Sequence, residues 1–171
     1  ANAVAAQLSA AHVVALRWYT THTYKSINGP LRNKDRVRPH PFAATLTFIK
    51  EGSGRLCAVD VAGPPLRLYR GMRNACAPTD LMRNGGPKLA PLSFTTELKV
   101  AAGYASSRAS LLFVVNADAS FMQRGASLHW LSTAPFEEEA PFPPGTLLNP
   151  PGRPPKTQLA TDQPRPPCEA P

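Results

Sequence analysis

Cysteine is scarce in this chain: Cys57, Cys76 and Cys168 are the only cysteines among 171 residues. So few cysteines, with no Cys-x-x-Cys spacing, exclude a small disulfide-built scaffold and a cysteine-ligated metal site, and leave one bond between Cys57 and Cys76 open. Long apolar runs are missing too; none approaches the roughly 18 residues that a membrane-spanning helix requires. The opening stretch ANAVAAQLSAAHVVAL carries no basic residue ahead of its apolar part, so a secretory signal peptide is not expected. Negative charge is the last shortage: 11 Asp and Glu face 19 Lys and Arg, for a formal net charge of +8. That excess suits an anionic ligand or an acidic partner. Its densest run, Arg32, Lys34, Arg36 and Arg38, lacks interleaved aromatics. It reads as a solvated basic loop, and no nucleic-acid partner is expected.

Proline, by contrast, is abundant: there are 20, of which 11 fall from Pro141 onward. A segment without backbone donors at so many positions neither joins a sheet nor closes a helix. Residues 150–171 are therefore expected to be a proline-rich, disordered or polyproline-like tail behind a single domain over residues 1–149. Within that domain Val4, Leu8, Ala11, Ala15 and Tyr19 recur at helical spacing. Helices are predicted over residues 3–16 and 19–28, and a third over residues 43–50, stopped by Gly52. The later stretches PLRLYRG, APLSFT and SLLFVV are short, apolar and bounded by Pro or Gly, which is strand behaviour. Between the last two, TTELKVAAGYASS predicts a helix with Thr96 as its N-cap and Val100, Ala101 and Tyr104 on one face. Helices first and strands later give an α+β fold.

Three features follow one another along the strand-rich half. Arg70 ends the strand LYRG beside Gly71, Ser93 lies in the hydroxyl-bearing LSFT, and Glu137, Glu138 and Glu139 precede an apolar stretch closed by Pro143, Pro144, Gly145 and Thr146. Taken singly, they read as an ion-pairing surface arginine, an edge-strand hydroxyl and a solvated acidic loop. His22 and His129 read as surface or structural side chains, and Phe121 as core. In this order, however, the motifs resemble the Arg-Ser-Glu class of mono-ADP-ribosyltransferases, enzymes that move ADP-ribose from NAD to protein arginine. The resemblance covers about residues 16–148. It includes LRWYTTHTYKSINGPLR, similar to the family's tyrosine-bearing helical segment, and the apolar and aromatic positions Val100, Ala101, Tyr104 and Ala105.

The resemblance implies an ADP-ribosyltransferase-like fold, with amino-terminal helices followed by a mixed β core around an NAD cleft. It also implies an enzyme that uses NAD as co-substrate and no metal. Counting back from Pro143 assigns Glu139 to the carboxylate beside the ribose cation and Glu137 to the acceptor. Arg70 carries a planar fork suited to phosphate oxygens and would clamp the diphosphate, with Gly71 admitting the backbone, while Ser93 orients Glu139 and the nicotinamide ribose. If both glutamates lie on one strand, alternation turns them to the same face and Glu138 to the other, and residues 131–136 form the turn that meets the acceptor. Glu at position 137 implies an arginine-bearing protein as that acceptor. Pro141 stands where relatives carry an aliphatic residue and is expected to remove a ladder donor beside Glu139. The same site also suits NAD glycohydrolysis with water as acceptor. A non-catalytic basic interaction module is the reading that requires neither glutamate.

Overall fold

A computed structural model of the chain describes residues 2–33, 35–59, 66–117 and 125–149. Phe121 and the proline-rich segment 150–171 lie outside them. Four helices come first: α1 (Asn2–Ala5), α2 (Ala10–Tyr19), α3 (Tyr24–Arg32) and α4 (Ala43–Val59). Then follow β1 (Leu66–Arg73), α5 (Thr79–Asn84), β2 (Gly86–Lys88), β3 (Leu92–Thr95), α6 (Leu98–Ala105), β4 (Ser110–Ala117), β5 (Glu139–Phe142) and β6 (Thr146–Leu148). The α+β order read from the sequence is the observed one. Among the described residues no helix is long and apolar enough to cross a membrane.

Several boundaries differ from expectation, each for a physical reason. The first predicted helix is two helices, because Gln7 takes a left-handed φ of 51° and Ser9 starts the chain again as an N-cap. Ser9 and His12 satisfy one another's main-chain N–H groups, at 3.4 Å to the Ser9 hydroxyl and 3.1 Å to His12 Nδ1. With Nδ1 accepting, His12 Nε2 donates across to Glu51 of α4 at 3.2 Å. Helix α4 does not stop at Gly52 but continues to Val59. A Cβ at Gly52 would stand 3.0 Å from Leu16 Cδ1, so glycine there allows α2 and α4 to approach rather than ending a helix. Leu16, Ile27, Ile49, Leu56, Cys57 and Leu128 fill the helical core that results.

Strands β4, β1, β3 and β5 form one antiparallel sheet in that order, and β2 pairs with β6. One face of the sheet buries Leu68, Leu92, Phe94, Ala140 and Phe142, with the two phenylalanine rings edge-on at 5.3 Å. Alternation leaves Ser93 and Thr95 on the opposite face, and Glu139 joins them because it stands across from Thr95 in register. Pro141 does not weaken this pairing. Its carbonyl accepts from the Ala126 N–H at 2.9 Å, so its main-chain edge faces residues 126–128 and not β3. The missing N–H lies on that outer side, and β3 keeps its partners at Ala140 and Phe142.

Helix α6 starts at Leu98 with Glu97 as its N-cap, one residue later than Thr96 would set it. Thr95 supplies the local bond instead, its Oγ1 accepting the Glu97 N–H at 2.9 Å. The helix then lies directly on β1: a Cβ at Gly71 would be 1.8 Å from the Ala101 carbonyl oxygen and 2.7 Å from the Ala105 nitrogen. Gly71→Ala is therefore expected to lower the unfolding free energy in urea by about 1–3 kcal/mol, the usual cost of overpacking. Gly103→Ala, where nothing lies within 4 Å of the added carbon, should be neutral or slightly stabilising. Equal stability of the two variants would contradict the contact.

Candidate active site

Arg70, Gly71, Ser93, Glu137 and Glu139 line one cavity of about 410 Å³, together with Tyr19, Asn28, Thr95 and Tyr104. All five residues singled out in the sequence are thus brought together. Arg70 leaves the middle of β1, and its Nη1 donates to the Ser93 carbonyl at 2.6 Å. Its Nε is buried and has no partner among the described residues, and no carboxylate among them forms an ion pair with it. Burial pushes the guanidinium pKa down; the charge of Arg32 works the same way, while Tyr19, Tyr24 and Glu139 oppose it. A half-satisfied, buried cation is costly by itself, and an anion would complete its bonding. Gly71 enters the lining through its backbone, since α6 fills the space where a side chain would be.

Glu139 is the mirror image of Arg70. Burial pushes its pKa above the ordinary 4.5 and the charge of Glu137 adds to that, while the Ser93 hydroxyl and Arg70 pull it down. Burial raises the pKa of the Tyr19 phenol, and the side chains of Asn28 and Ser93 and the charge of Arg70 pull it down. Tyr19 in turn receives the Asn28 amide at 3.3 Å and donates to the Pro91 carbonyl at 3.3 Å. Asn28, Tyr19 and Ser93 therefore give the cavity a polar lining around Glu139. Tyr19 and Asn28 carried no individual role in the sequence reading; the tyrosine-bearing segment was the signal for them. His22, read from sequence as surface or structural, is exposed and lines the cavity.

The glutamates are arranged differently from the two-residue alternation expected. Only Glu139 belongs to β5; Pro135–Glu137 form a 3-10 turn, and Glu138 takes a left-handed φ of 46°. That reversal, not a strand, separates the three side chains. Glu138 pairs with His129 at 3.3 Å, whereas Glu137 and Glu139 line the cavity. The turn is fastened from two sides. The Thr95 hydroxyl donates to the Glu137 carbonyl at 2.5 Å, and Thr133 donates its N–H to the Thr20 hydroxyl at 3.2 Å and its own hydroxyl to the Thr20 carbonyl at 2.6 Å. The Glu137 carboxylate itself accepts the Tyr104 hydroxyl at 2.7 Å. Among the described residues no group of His, Cys, Asp and Glu is placed to hold a metal ion.

No family model matches the chain, and no curated protein does. Its fold matches solved structures. HopU1, an ADP-ribosyltransferase of Pseudomonas syringae pv. Tomato DC3000, aligns with a TM-score of 0.55 at 19% identity, over 78% of this chain and 66% of that one. A mutant of the eukaryotic mono-ADP-ribosyltransferase ART2.2 in complex with NAD aligns with a TM-score of 0.62 at 18% identity, over 81% and 58%. Exoenzyme S from Pseudomonas aeruginosa, bound to carba-NAD and human 14-3-3 protein beta, aligns with a TM-score of 0.58 at 20% identity, over 81% and 64%. This chain spans 58% to 66% of the length of these structures. Its fold is ADP-ribosyltransferase-like.

The raised pKa of Glu139 carries a consequence for stability. A carboxyl group that binds its proton more tightly when folded stabilises the fold most below its ordinary pKa of 4.5, and that contribution is lost as pH rises through the folded value. Glutamine imitates the protonated form at every pH. Glu139→Gln is expected to melt above the wild type at neutral pH, with the gap closing as pH falls toward 4.5. Calorimetry across that range checks it; a lower melting temperature at neutral pH would sink the assignment of burial as the main cause.

Proposed function

We propose that the chain transfers ADP-ribose from NAD to an arginine of a protein acceptor and releases nicotinamide. The observation that supports this reading is the meeting of Arg70, Ser93, Glu137 and Glu139 in one cavity of an ADP-ribosyltransferase-like fold. In this reading the bond between the nicotinamide nitrogen and ribose C1′ breaks, its electron pair leaves with neutral nicotinamide, and positive charge is left on the ribose. Glu139 accepts a hydrogen bond from the ribose 2′-hydroxyl and favours that cation over bound NAD. Its poor solvation strengthens the effect, because water does not compete for the carboxylate. Arg70, whose guanidinium lines the cavity and has no carboxylate partner among the described residues, clamps the diphosphate, and Ser93 orients Glu139.

Glu137 receives the acceptor. A guanidinium stays protonated up to a pKa above about 12, so it must be held by a negative charge and lose a proton as one nitrogen attacks C1′. The carboxylate of Glu137 takes that proton. Water as acceptor needs far less orientation, so transfer and hydrolysis depend on Glu137 to different degrees.

Labelled NAD incubated with the protein and agmatine tests the reading. Label is expected on agmatine, with nicotinamide released in step. Glu139→Gln should reduce both transfer and hydrolysis by about 100-fold or more, the scale seen when one electrostatic contact to a transition state is removed. Glu137→Gln should lower the ratio of transfer to hydrolysis. In the wild type the acid limb of kcat/KM for NAD should lie above pH 4.5, since Glu139 must be ionised and its pKa is raised. Nicotinamide release without labelled agmatine would move the assignment to NAD glycohydrolase, and no release at all would overturn it.

A further inference from the structure

Glu137 lies outside the sheet, on a 3-10 turn followed by a left-handed residue, so no strand pairing fixes its side chain. What reaches its carboxylate is the Tyr104 hydroxyl, at 2.7 Å to Oε1. Tyr104 stands on α6, whose main chain is seated on Gly71, one residue from Arg70. We propose, resting on the reading of Glu137 as the acceptor-binding carboxylate, that the Tyr104 hydroxyl is a positioning group that holds Glu137 Oε1 and leaves Oε2 free for the incoming guanidinium. Three observations converge on it. The backbone of the same glutamate is fastened by Thr95 Oγ1 at 2.5 Å, so main chain and side chain are both held, from β3 and from α6. Tyr104 is half exposed yet makes this single directed bond into the cavity lining. The phenol also remains a donor over the working range, because burial and the bond to Glu137 push its pKa up to about 12.

The arrangement divides the carboxylate by geometry. A guanidinium presents its N–H groups as a planar fork, and a carboxylate free to rotate offers it several poses. With Oε1 occupied, one orientation remains, and the attacking nitrogen is delivered to a fixed place relative to the sheet. An unoriented carboxylate would still attract a cation but would align it less often. Water attack does not pass through this contact.

Tyr104→Phe isolates the hydroxyl, since the ring is kept. The ratio of agmatine transfer to NAD hydrolysis is expected to fall about tenfold, with a higher KM for agmatine, while the melting temperature stays within a degree or two. Equal losses in both reactions would mean that Tyr104 acts on NAD instead, and an unchanged ratio would mean that the hydroxyl orients nothing; either overturns the proposal. A second measurement does not depend on turnover. With tyrosine labelled at Cζ, the Tyr104 resonance should not titrate below pH 11 in the wild type, and should begin to do so in Glu137→Gln. If the protein cleaves no NAD, the functional reading fails separately, and the titration decides the contact alone: no difference between the two proteins would overturn it.

Discussion

The bare main chain at Gly71 allows α6 to rest on β1, and the cavity takes its shape from that contact. Helix α6 contributes Val100, Ala101 and Tyr104 as one wall, and all three are fixed in height over the sheet by the approach of the Ala101 carbonyl to Gly71. The residue before Gly71 is Arg70. One dipeptide therefore sets both where the cation emerges and where the opposing wall stands. A side chain at position 71 would lift the helix and, with it, the tyrosine that meets Glu137.

The opposite wall is built by register. Thr95 faces Glu139 across β3 and β5, and β5 is held on its outer edge by the Ala126 and Leu128 N–H groups, which bond the Pro141 and Glu139 carbonyls. Glu139 thus belongs to a strand supported on both sides. This explains why a proline two residues later is tolerated: its missing donor faces the irregular segment and leaves the sheet intact. Glu137 has no such support and depends on side chains, Thr95 for its carbonyl and Tyr104 for its carboxylate. The two carboxylates are held by different means, rigid pairing for one and directed hydrogen bonds for the other.

The five candidate residues could be named from the sequence because their order along the chain resembles a family's motifs, and order survives where local pattern is ambiguous; the structure brings all five to one cavity. What the sequence did not reveal was decided by tertiary contact. Gly52 reads as a helix stop on propensity, yet close packing against Leu16 makes it part of the helix. Thr96 reads as a cap, yet Thr95 makes the bond to Glu97. The run Glu137, Glu138, Glu139 carries no information on whether it is strand or turn; Pro135 was the available hint, as proline suits the first turn of a helix. Tyr104 could be placed on the same face as Val100 by periodicity, but a partner 33 residues away is invisible to any local rule.

The electrostatics of the cavity give the last constraint. For Arg70 and for Glu139 alike, burial is the largest influence and disfavours the charged form, and the attraction between the two offsets it only in part. A close ion pair would have satisfied both and left the cavity with nothing to offer. Held apart from such a pair, the arginine retains an unused buried N–H and the glutamate a poorly solvated charge. Under the proposed function, an anionic diphosphate would offset the charge of Arg70, and positive charge developing on the ribose would be favoured beside Glu139. On the function proposed above, the arrangement that costs the empty fold stability is the one that favours binding and then cation formation.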